Sequence, residues 1–273
     1  MAGSSIDVGL KILHEAFEFK SLHVGLFTEE MPHTLDGVHL AQAEYVKQLT
    51  GMIPEGVKTV LDVGAGLGDT AKLLHDGGYE VVGLSPDPYL EEQFGITTEG
   101  KVEFHLTTFE AFETERTFDC LVFGESPQYI DKKQFFPKCL AVTRPGSHIV
   151  LADFFQIERG EDYKDCFVES EFREMAEAAG FKIEFHRDIT DNIVPTFTVG
   201  RKFLDYGQRL FGFLTDTARR RAPVKWWIGS LFYGRKLEHV KKLLHEQMPP
   251  RLDGERFKEH MRYAMYRLTR QEA

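Results

Sequence analysis

Residues 60–69 have the sequence Val-Leu-Asp-Val-Gly-Ala-Gly-Leu-Gly-Asp, a short apolar run that ends in three closely spaced glycines. The β-branched residues predict a buried strand, and the glycines predict a turn that leads into a helix. Glycine tolerates positive φ and lets a ligand approach the backbone closely. Asp62 puts a carboxylate at the strand end, which suits a cationic amino-acid group better than a phosphate. The stretch therefore predicts a ligand site at the carboxyl edge of a sheet.

The glycine spacing distinguishes this loop from two common nucleotide-binding motifs. Gly64, Gly66 and Gly68 are followed by Asp69, whereas the dinucleotide fingerprint is GxGxxG or GxGxxA. An acidic side chain at this helix start would repel a pyrophosphate, and the lysine of the Walker motif is absent. The loop therefore predicts neither a dinucleotide nor a nucleoside triphosphate as its ligand.

Segments with the composition of strands alternate with segments of helical periodicity along the chain. Strands are expected at residues 58–64, 79–84, 102–106, 118–123, 146–155, 181–187 and 263–268. This alternation predicts an α/β fold with a Rossmann-like, seven-stranded and mostly parallel sheet that carries helices on both faces. Residues 10–50 predict helices joined by a shaped loop, and residues 200–248 predict helices inserted before the last strand.

The charge is divided unevenly along the chain. Its 273 residues carry a formal net charge of −10, with −18 over residues 1–190 and +8 over residues 191–273. The acidic body would repel a phosphate backbone, so no nucleic-acid partner is expected. The three cysteines lack CxxC spacing and the histidines lack HxxxH spacing, so neither a disulfide framework nor a metal site is predicted. The first residues lack the features of a secretory signal, which predicts a cytoplasmic protein.

At this point the chain resembles the class I S-adenosylmethionine (SAM)-dependent methyltransferases. The resemblance rests on residues 60–68, 81–86, 118–125 and 144–153, which occur in the order of the family's motifs. It implies SAM as the cofactor and methyl transfer as the activity. The segments 21–27, 125–130 and 180–195 are similar to the small-molecule branch that includes sterol, tocopherol, cyclopropane-fatty-acid and methylglycine-type enzymes.

The resemblance assigns the cofactor to the glycine loop and to the ends of neighbouring strands. The implied residues are Asp62, Gly64, Ala65, Gly66, Gly68, Ser85, Thr108, Phe109 and Gly124. Two positions depart from the family pattern. Ser85 stands where an acidic residue usually bonds the ribose hydroxyls, and Asp87 follows two residues later. Thr108 and Phe109 stand where Gly-Asp is frequent, so we expect Thr108 to accept a bond from the adenine amino group and Phe109 to pack on the ring.

The resemblance also divides the chain and indicates residues for catalysis. The expected parts are a helical lid over 1–50, a SAM-binding core over 51–190, a helical cap over 191–260 and a last strand over 261–273. His23, Glu125 and Tyr129 are the candidate catalytic residues, since they fall in the lid loop and just after strand four. Each has a structural alternative: a hydrogen-bonded loop histidine, a helix cap and a packing residue. Substrate contacts are expected from Gln128, Asp153, Phe203 and Trp226.

Together these features predict transfer of a methyl group from SAM to O, N or C of a small metabolite. The aromatic cap favours a hydrophobic acceptor, and its basic residues fit an anionic group on it. Two alternatives stay open: a cyclase-like enzyme that binds SAM without transferring methyl, and a non-enzymatic protein that binds a membrane or a partner. Residues 219–236 combine basic and aromatic side chains, which suits peripheral contact with an anionic membrane. The sequence does not predict an oligomeric state.

Overall fold

The computed structural model describes residues 11, 14–15, 18–161 and 163–272, apart from the side chains at 224, 226, 228–232, 247 and 251. The strands are β1 Thr59–Val63, β2 Glu80–Ser85, β3 Glu103–Leu106, β4 Phe118–Gly124, β5 Thr143–Gln156, β6 Phe167–Val168, β7 Phe181–Asp188 and β8 Met261–Arg270. They form one sheet in the order β3-β2-β1-β4-β5-β8-β7, with β6 paired to β5. β8 is antiparallel to both its neighbours, and the other pairs are parallel. The predicted mostly parallel sheet is confirmed, with the two-residue β6 as an addition.

Four of the described helices start at a capping side chain. The helices are α1 Leu35–Thr50, α2 Asp69–Asp76, α3 Pro88–Thr97, α4 Lys132–Ala141, α5 Glu169–Ala178, α6 Thr190–Arg221, α7 Pro223–Lys242, α8 Met248–Arg251 and α9 Gly254–His260. Thr34, Asp87, Asp131 and Asp253 accept backbone N–H bonds at the starts of α1, α3, α4 and α9. Among the described helices, none has the length and apolar character to cross a bilayer. The predicted helix near residue 13 lies largely outside the described residues.

The core lies on both faces of the sheet. Successive residues of β1 point to opposite faces, and each face is apolar because helices cover both. Val60 belongs to a buried cluster that includes Tyr45 and Leu49 of α1. Its neighbour Leu61 belongs to a second cluster that includes Phe135 of α4. The sheet is thus a rigid support for the loops that leave its carboxyl edge.

The strand order places a topological switch point beside β1. Val63, the last residue of β1, lies in register with Leu84 of β2 and Phe123 of β4. The backbone N–H groups of Gly64 and Ala65 both donate to the Leu84 carbonyl, at 2.9 and 3.0 Å. The loops after β1, β2 and β4 therefore meet at one edge, which is where parallel α/β sheets bind ligands.

The cap leaves and rejoins the sheet at neighbouring points. Asp188, the last residue of β7, lies opposite Ala264 of β8, and the Ile189 N–H donates to the Tyr263 carbonyl at 2.8 Å. Between these points α6 to α9 form the predicted helical insertion. The first turns of α6 pack on the core through buried residues such as Ile193.

The lid loop, residues 18–34, runs over the carboxyl edge of the sheet and is tied to the cap. The Phe27 N–H donates to the Asn192 carbonyl at 2.8 Å, and the Asn192 side chain donates back to the Phe27 carbonyl at 2.9 Å. The Gly25 N–H donates to Thr196 Oγ1 at 3.0 Å. Lid loop and cap thus meet directly above the loops of the switch point.

Candidate active site

The glycine loop is shaped by packing on two sides and is open on the third. Gly64, Gly66 and Gly68 have φ values of 77°, 53° and 90°, which favour glycine. A Cβ at Gly64 would lie 2.5 Å from Cβ of Ser126, and a Cβ at Gly68 would lie 2.9 Å from the Phe94 ring. At Gly66 the nearest atom would be 4.0 Å away. Gly66 therefore offers exposed backbone to a ligand, whereas its two neighbours make room for the protein itself.

Asp62 provides an unpaired buried carboxyl beneath this loop. Its Oδ2 atom is buried and has no hydrogen-bond partner among the residues that the structure describes. Burial raises the pKa of this carboxyl to about 8, and the nearby Asp69 carboxylate adds to the rise. A buried acceptor without a donor is costly until a ligand supplies one. A cationic group on a bound ligand would both satisfy and ionise Asp62, so this site fits the amino-acid end of SAM.

The end of β2 supplies a second free acceptor. Ser85 is buried there, as the last residue of the strand. Asp87 accepts hydrogen bonds from the N–H groups of Tyr89 and Leu90 through Oδ1, at 2.8 and 3.3 Å. Its other oxygen, Oδ2, is buried and has no partner within the described part of the chain. A buried acidic acceptor is therefore present two positions beyond Ser85, the residue for which the resemblance implies contact with the ribose hydroxyls.

The residues expected to contact adenine have different surroundings. Thr108 is exposed, and its Oγ1 accepts a hydrogen bond from the Ala111 N–H at 3.3 Å. Phe109 is buried in the core, with its ring edge-on to Phe123 at a centroid distance of 5.6 Å. Gly124 is half-buried at the end of β4. Thr108 is thus the more accessible of the two predicted adenine contacts.

His23 lies inside a hydrogen-bonded cluster beneath the lid loop. Its ring stacks on Tyr45 of α1 at a centroid distance of 4.0 Å. Nδ1 donates to the Val24 carbonyl at 2.8 Å, and Nε2 lies 3.6 Å from Asp69 Oδ2. That second distance is too long for a hydrogen bond, and Nε2 has no other partner in the described residues. The hydroxyl of Ser21 donates to Asp69, which ties the lid loop to the start of α2.

The charges in this cluster shift its pKa values in opposite directions. Burial by itself lowers the pKa of His23, but the Asp69 and Glu125 carboxylates outweigh it and the pKa is raised overall. Burial would raise the pKa of Asp69, yet His23 and the Ser21 hydroxyl hold it below its ordinary value. The pair is therefore favoured as a cation beside an anion.

Glu125 is held at the centre of the site by strands and lid together. It follows β4 with φ of 57°, a strained value for a side chain larger than glycine. Its Oε1 accepts hydrogen bonds from the Val24 N–H and the Tyr263 hydroxyl, both at 2.8 Å. Tyr263 in turn lies 3.0 Å from the Tyr45 hydroxyl. Burial raises the pKa of Glu125, although His23 opposes the rise.

Asp153 and Gln128 support the loop that carries Glu125. Asp153 Oδ2 accepts from the Gln128 N–H at 3.1 Å, and Oδ1 accepts from the Phe154 N–H at 2.8 Å. The Gln128 side chain donates to the Glu125 carbonyl at 3.2 Å. Burial raises the pKa of Asp153 well above its ordinary value. These two predicted substrate contacts thus also hold the loop after β4 in place.

Two predicted site residues, Tyr129 and Phe203, lie outside this cluster, and a third has a side chain that the structure does not describe. Tyr129 is 77% exposed in the short turn after Glu125. Phe203 is half-buried in α6 and packs against the apolar cluster that contains Phe27 of the lid loop and Val38 of α1. Trp226 falls in α7, and its side chain lies outside the described residues. The structure therefore brings together His23 and Glu125 but not Tyr129.

Several residues of the site have no signal in the sequence that marks them. Tyr263 of the last strand bonds Glu125, and Tyr45 of α1 lies beside the Tyr263 hydroxyl; no local sequence pattern reveals that these distant residues meet. The sequence indicates that Asp69 would repel a phosphate. It does not reveal that Asp69 contacts Ser21 and His23. Helix-capping spacing could have identified Asp87, since Pro88 follows it directly.

Comparison with known proteins agrees with this geometry. Residues 61–151 match the family model described as a methyltransferase domain. That range contains the glycine loop, the Asp87 turn and the Glu125 loop. A search of curated protein sequences finds no match to the chain.

Solved structures with the same fold align over nearly the whole chain. The [4+2]-cyclase SpnF has a TM-score of 0.67 at 15% identity and covers 100% of this chain and 98% of its own. The cyclopropane synthase MmaA2 from Mycobacterium tuberculosis has a TM-score of 0.65 at 14% identity, covering 97% and 94%. A geranyl diphosphate C-methyltransferase from Streptomyces coelicolor, solved with Mg²⁺, geranyl diphosphate and S-adenosylhomocysteine, has 0.66 at 10% identity, covering 94% and 92%. With a methyltransferase domain in residues 61–151 and this fold around it, the chain carries the catalytic domain of a SAM-dependent methyltransferase.

Proposed function

We propose that the protein methylates a small and largely hydrophobic metabolite. The observation that carries this proposal is the buried polar cluster around Glu125, which adjoins the glycine loop and is roofed by the lid loop and the cap. Next to it, Phe27, Val38, Val199 and Phe203 form an apolar cluster between lid, α1 and α6. An acceptor bound between these two clusters would meet apolar side chains on its body and polar groups at its reacting atom.

The cofactor is SAM, and the chain offers a partner for each of its polar ends. Asp62 would accept from the ammonium group, the open backbone at Gly66 would lie against the ligand, and Asp87 would accept from the ribose hydroxyls. When bound, SAM supplies a methyl group on a positively charged sulfur. Methyl transfer then requires mainly that the protein orient the acceptor and exclude water.

In this proposal Glu125 removes the proton from an oxygen or nitrogen acceptor. Bound SAM would supply the methyl group and its sulfur would keep the electron pair of the broken carbon–sulfur bond, while the Glu125 carboxylate would take up the acceptor proton. Both donors to this carboxylate among the described residues bind Oε1, and its raised pKa makes it a stronger base than an exposed carboxylate. His23 has Nδ1 bonded to Val24 and Nε2 turned to Asp69, which suits a positioning role.

A labelled-methyl assay tests the proposal directly. The protein is incubated with SAM carrying an isotopic methyl group and with a panel of phenols, amines, prenyl diphosphates and fatty acids. We expect label in one acceptor class together with stoichiometric S-adenosylhomocysteine. SpnF has the same fold and is a cyclase. Conversion of an acceptor without label would therefore refute methyl transfer and support the cyclase alternative.

Replacing Glu125 by Gln should separate proton removal from binding. Gln keeps an oxygen that can accept from Val24 and Tyr263 but does not take up a proton. We expect kcat for an oxygen or nitrogen acceptor to fall about 10²- to 10⁴-fold, with little change in the affinity for S-adenosylhomocysteine. Steady-state kinetics and calorimetry on the purified variant measure the two quantities.

Glu110 provides the matched control, because its carboxylate also accepts a backbone N–H, from Asp131 at 2.9 Å. A Glu110→Gln variant should keep full kcat. Full activity in Glu125→Gln, or an equal loss in both variants, would contradict the role of Glu125 as base.

A further inference from the structure

Helix α6 has a second apolar face that the described part of the chain leaves exposed. Its inner face, with Ile193, Phe197 and Leu204, is buried against the core and the lid. A stripe made of Tyr206, Leu210, Phe213 and Leu214 follows at spacings of four, three and one residues, and its members are 56–66% exposed. An α-helix turns by 100° per residue. The stripe therefore lies about 150° around the axis of α6 from the buried face that contains Leu204. Four large apolar side chains in one exposed row are unusual on a monomeric protein surface.

The same region is strongly basic. Residues 206–242 contain nine lysines and arginines against two acidic residues. Arg209, Arg220 and Arg221 flank the stripe by helical spacing, and all three are exposed. On α7, exposed Tyr233 has the Lys236 ammonium 6.0 Å from its ring centroid. Exposed apolar side chains thus lie among positively charged ones.

We propose that this stripe and the arginines that flank it, Arg209, Arg220 and Arg221, bind the surface of an anionic lipid bilayer. An interfacial helix buries its apolar face at the level of the acyl chains while basic residues contact the anionic headgroups. The charge disfavours a second copy of the chain, because a two-fold contact would set the same cations against each other. The inference concerns attachment alone and holds whether or not the protein methylates the acceptor proposed above.

Vesicle sedimentation tests the inference. The full chain is mixed with phosphatidylcholine vesicles that contain either no or 30% phosphatidylserine, at low and at high salt. We expect sedimentation with the anionic vesicles alone, weakened by salt because the Debye length shortens. Each basic residue near such a surface contributes about a factor of five to binding, so replacing Arg209, Arg220 and Arg221 by Gln should weaken it about a hundredfold.

Two further variants complete the design. Leu210→Gln with Phe213→Gln removes the apolar part and should also abolish sedimentation. The matched control replaces exposed Lys101, Lys133 and Lys182 by Gln, which changes the net charge equally elsewhere on the surface. Circular dichroism and S-adenosylhomocysteine binding confirm that each variant folds.

The outcomes separate the possible occupants of the stripe. Loss of binding in both cap variants, with binding kept in the control, supports the proposal. Equal binding to neutral vesicles, no binding by the wild type, or the same loss in the lysine control overturns it. A third outcome is a dimer in light scattering that the combined Leu210→Gln and Phe213→Gln substitutions dissociate, with no vesicle binding. This result would mean that the stripe binds a second copy of the chain, and it would also overturn the proposal.

Discussion

A Gly66→Arg variant will fold and will not bind SAM or S-adenosylhomocysteine. Gly66 has open space where its Cβ would be, whereas Cβ atoms at Gly64 and Gly68 would collide with protein atoms. An arginine side chain at Gly66 therefore enters the ligand cleft rather than the core, and brings a positive charge toward a cationic cofactor. We expect cofactor affinity to fall below detection by calorimetry, with methyl transfer lost in parallel.

The control must reproduce the backbone strain of this substitution. Gly100 has φ of 66°, close to the 53° of Gly66, and a Cβ there also meets nothing within 4 Å. Gly100 lies in the exposed turn before β3, away from the site. Gly100→Arg should lose a similar amount of stability, about 1 kcal/mol, and keep normal affinity. Normal affinity in Gly66→Arg would refute the position given to the glycine loop.

An Asp62→Asn variant will lose both cofactor affinity and its dependence on pH. With a pKa of about 8, Asp62 is mostly protonated at pH 7 in the free protein. Binding of an ammonium group selects the carboxylate, so a proton is released. Affinity of the wild type should therefore rise as pH increases from 6 to 8, by about tenfold per unit at the lower end. The Asn variant should bind about 10- to 100-fold more weakly at pH 8 and show a flat profile.

Calorimetry in two buffers of different ionisation enthalpy measures the released proton. The wild type should release close to one proton at pH 7, and Asp62→Asn should release none from this site. Asp119 is a suitable control, since its neighbours hold its pKa below the ordinary value and it lies at the opposite edge of the sheet. If the cofactor affinity of Asp62→Asn depends on pH as that of the wild type does, the titrating group is another one, such as His23.

The fold was predictable because its signals are local. The run from Val60 to Asp69 contains strand, glycine turn and helix start within ten residues, and the sheet follows from the alternation of such segments. Asp62 could be picked out for the same reason, since a carboxylate two residues before a glycine turn has a defined position at the sheet edge. These features depend on neighbours in sequence rather than on the packing of distant segments.

The inner site was not predictable in the same way. Glu125 is bound by Val24 and Tyr263, 101 and 138 residues away in the chain, and Tyr45 joins them from a third element. Tyr129 and Glu125 are four residues apart and equally plausible by sequence, yet one is exposed and the other lies in the centre of the cluster. Which side chain turns inward depends on the positive φ at Glu125, and few residues other than glycine adopt that value.

The close spacing of the two points where the cap joins the sheet has an evolutionary consequence. Asp188 of β7 and Ala264 of β8 are paired across adjacent strands. The segment between them is therefore an insertion, and the two strands can pair whether or not it is present. Lengthening or replacing such a segment costs little in loop-closure entropy. A descendant lineage can therefore exchange the whole cap while inheriting the carboxyl edge of the sheet unchanged.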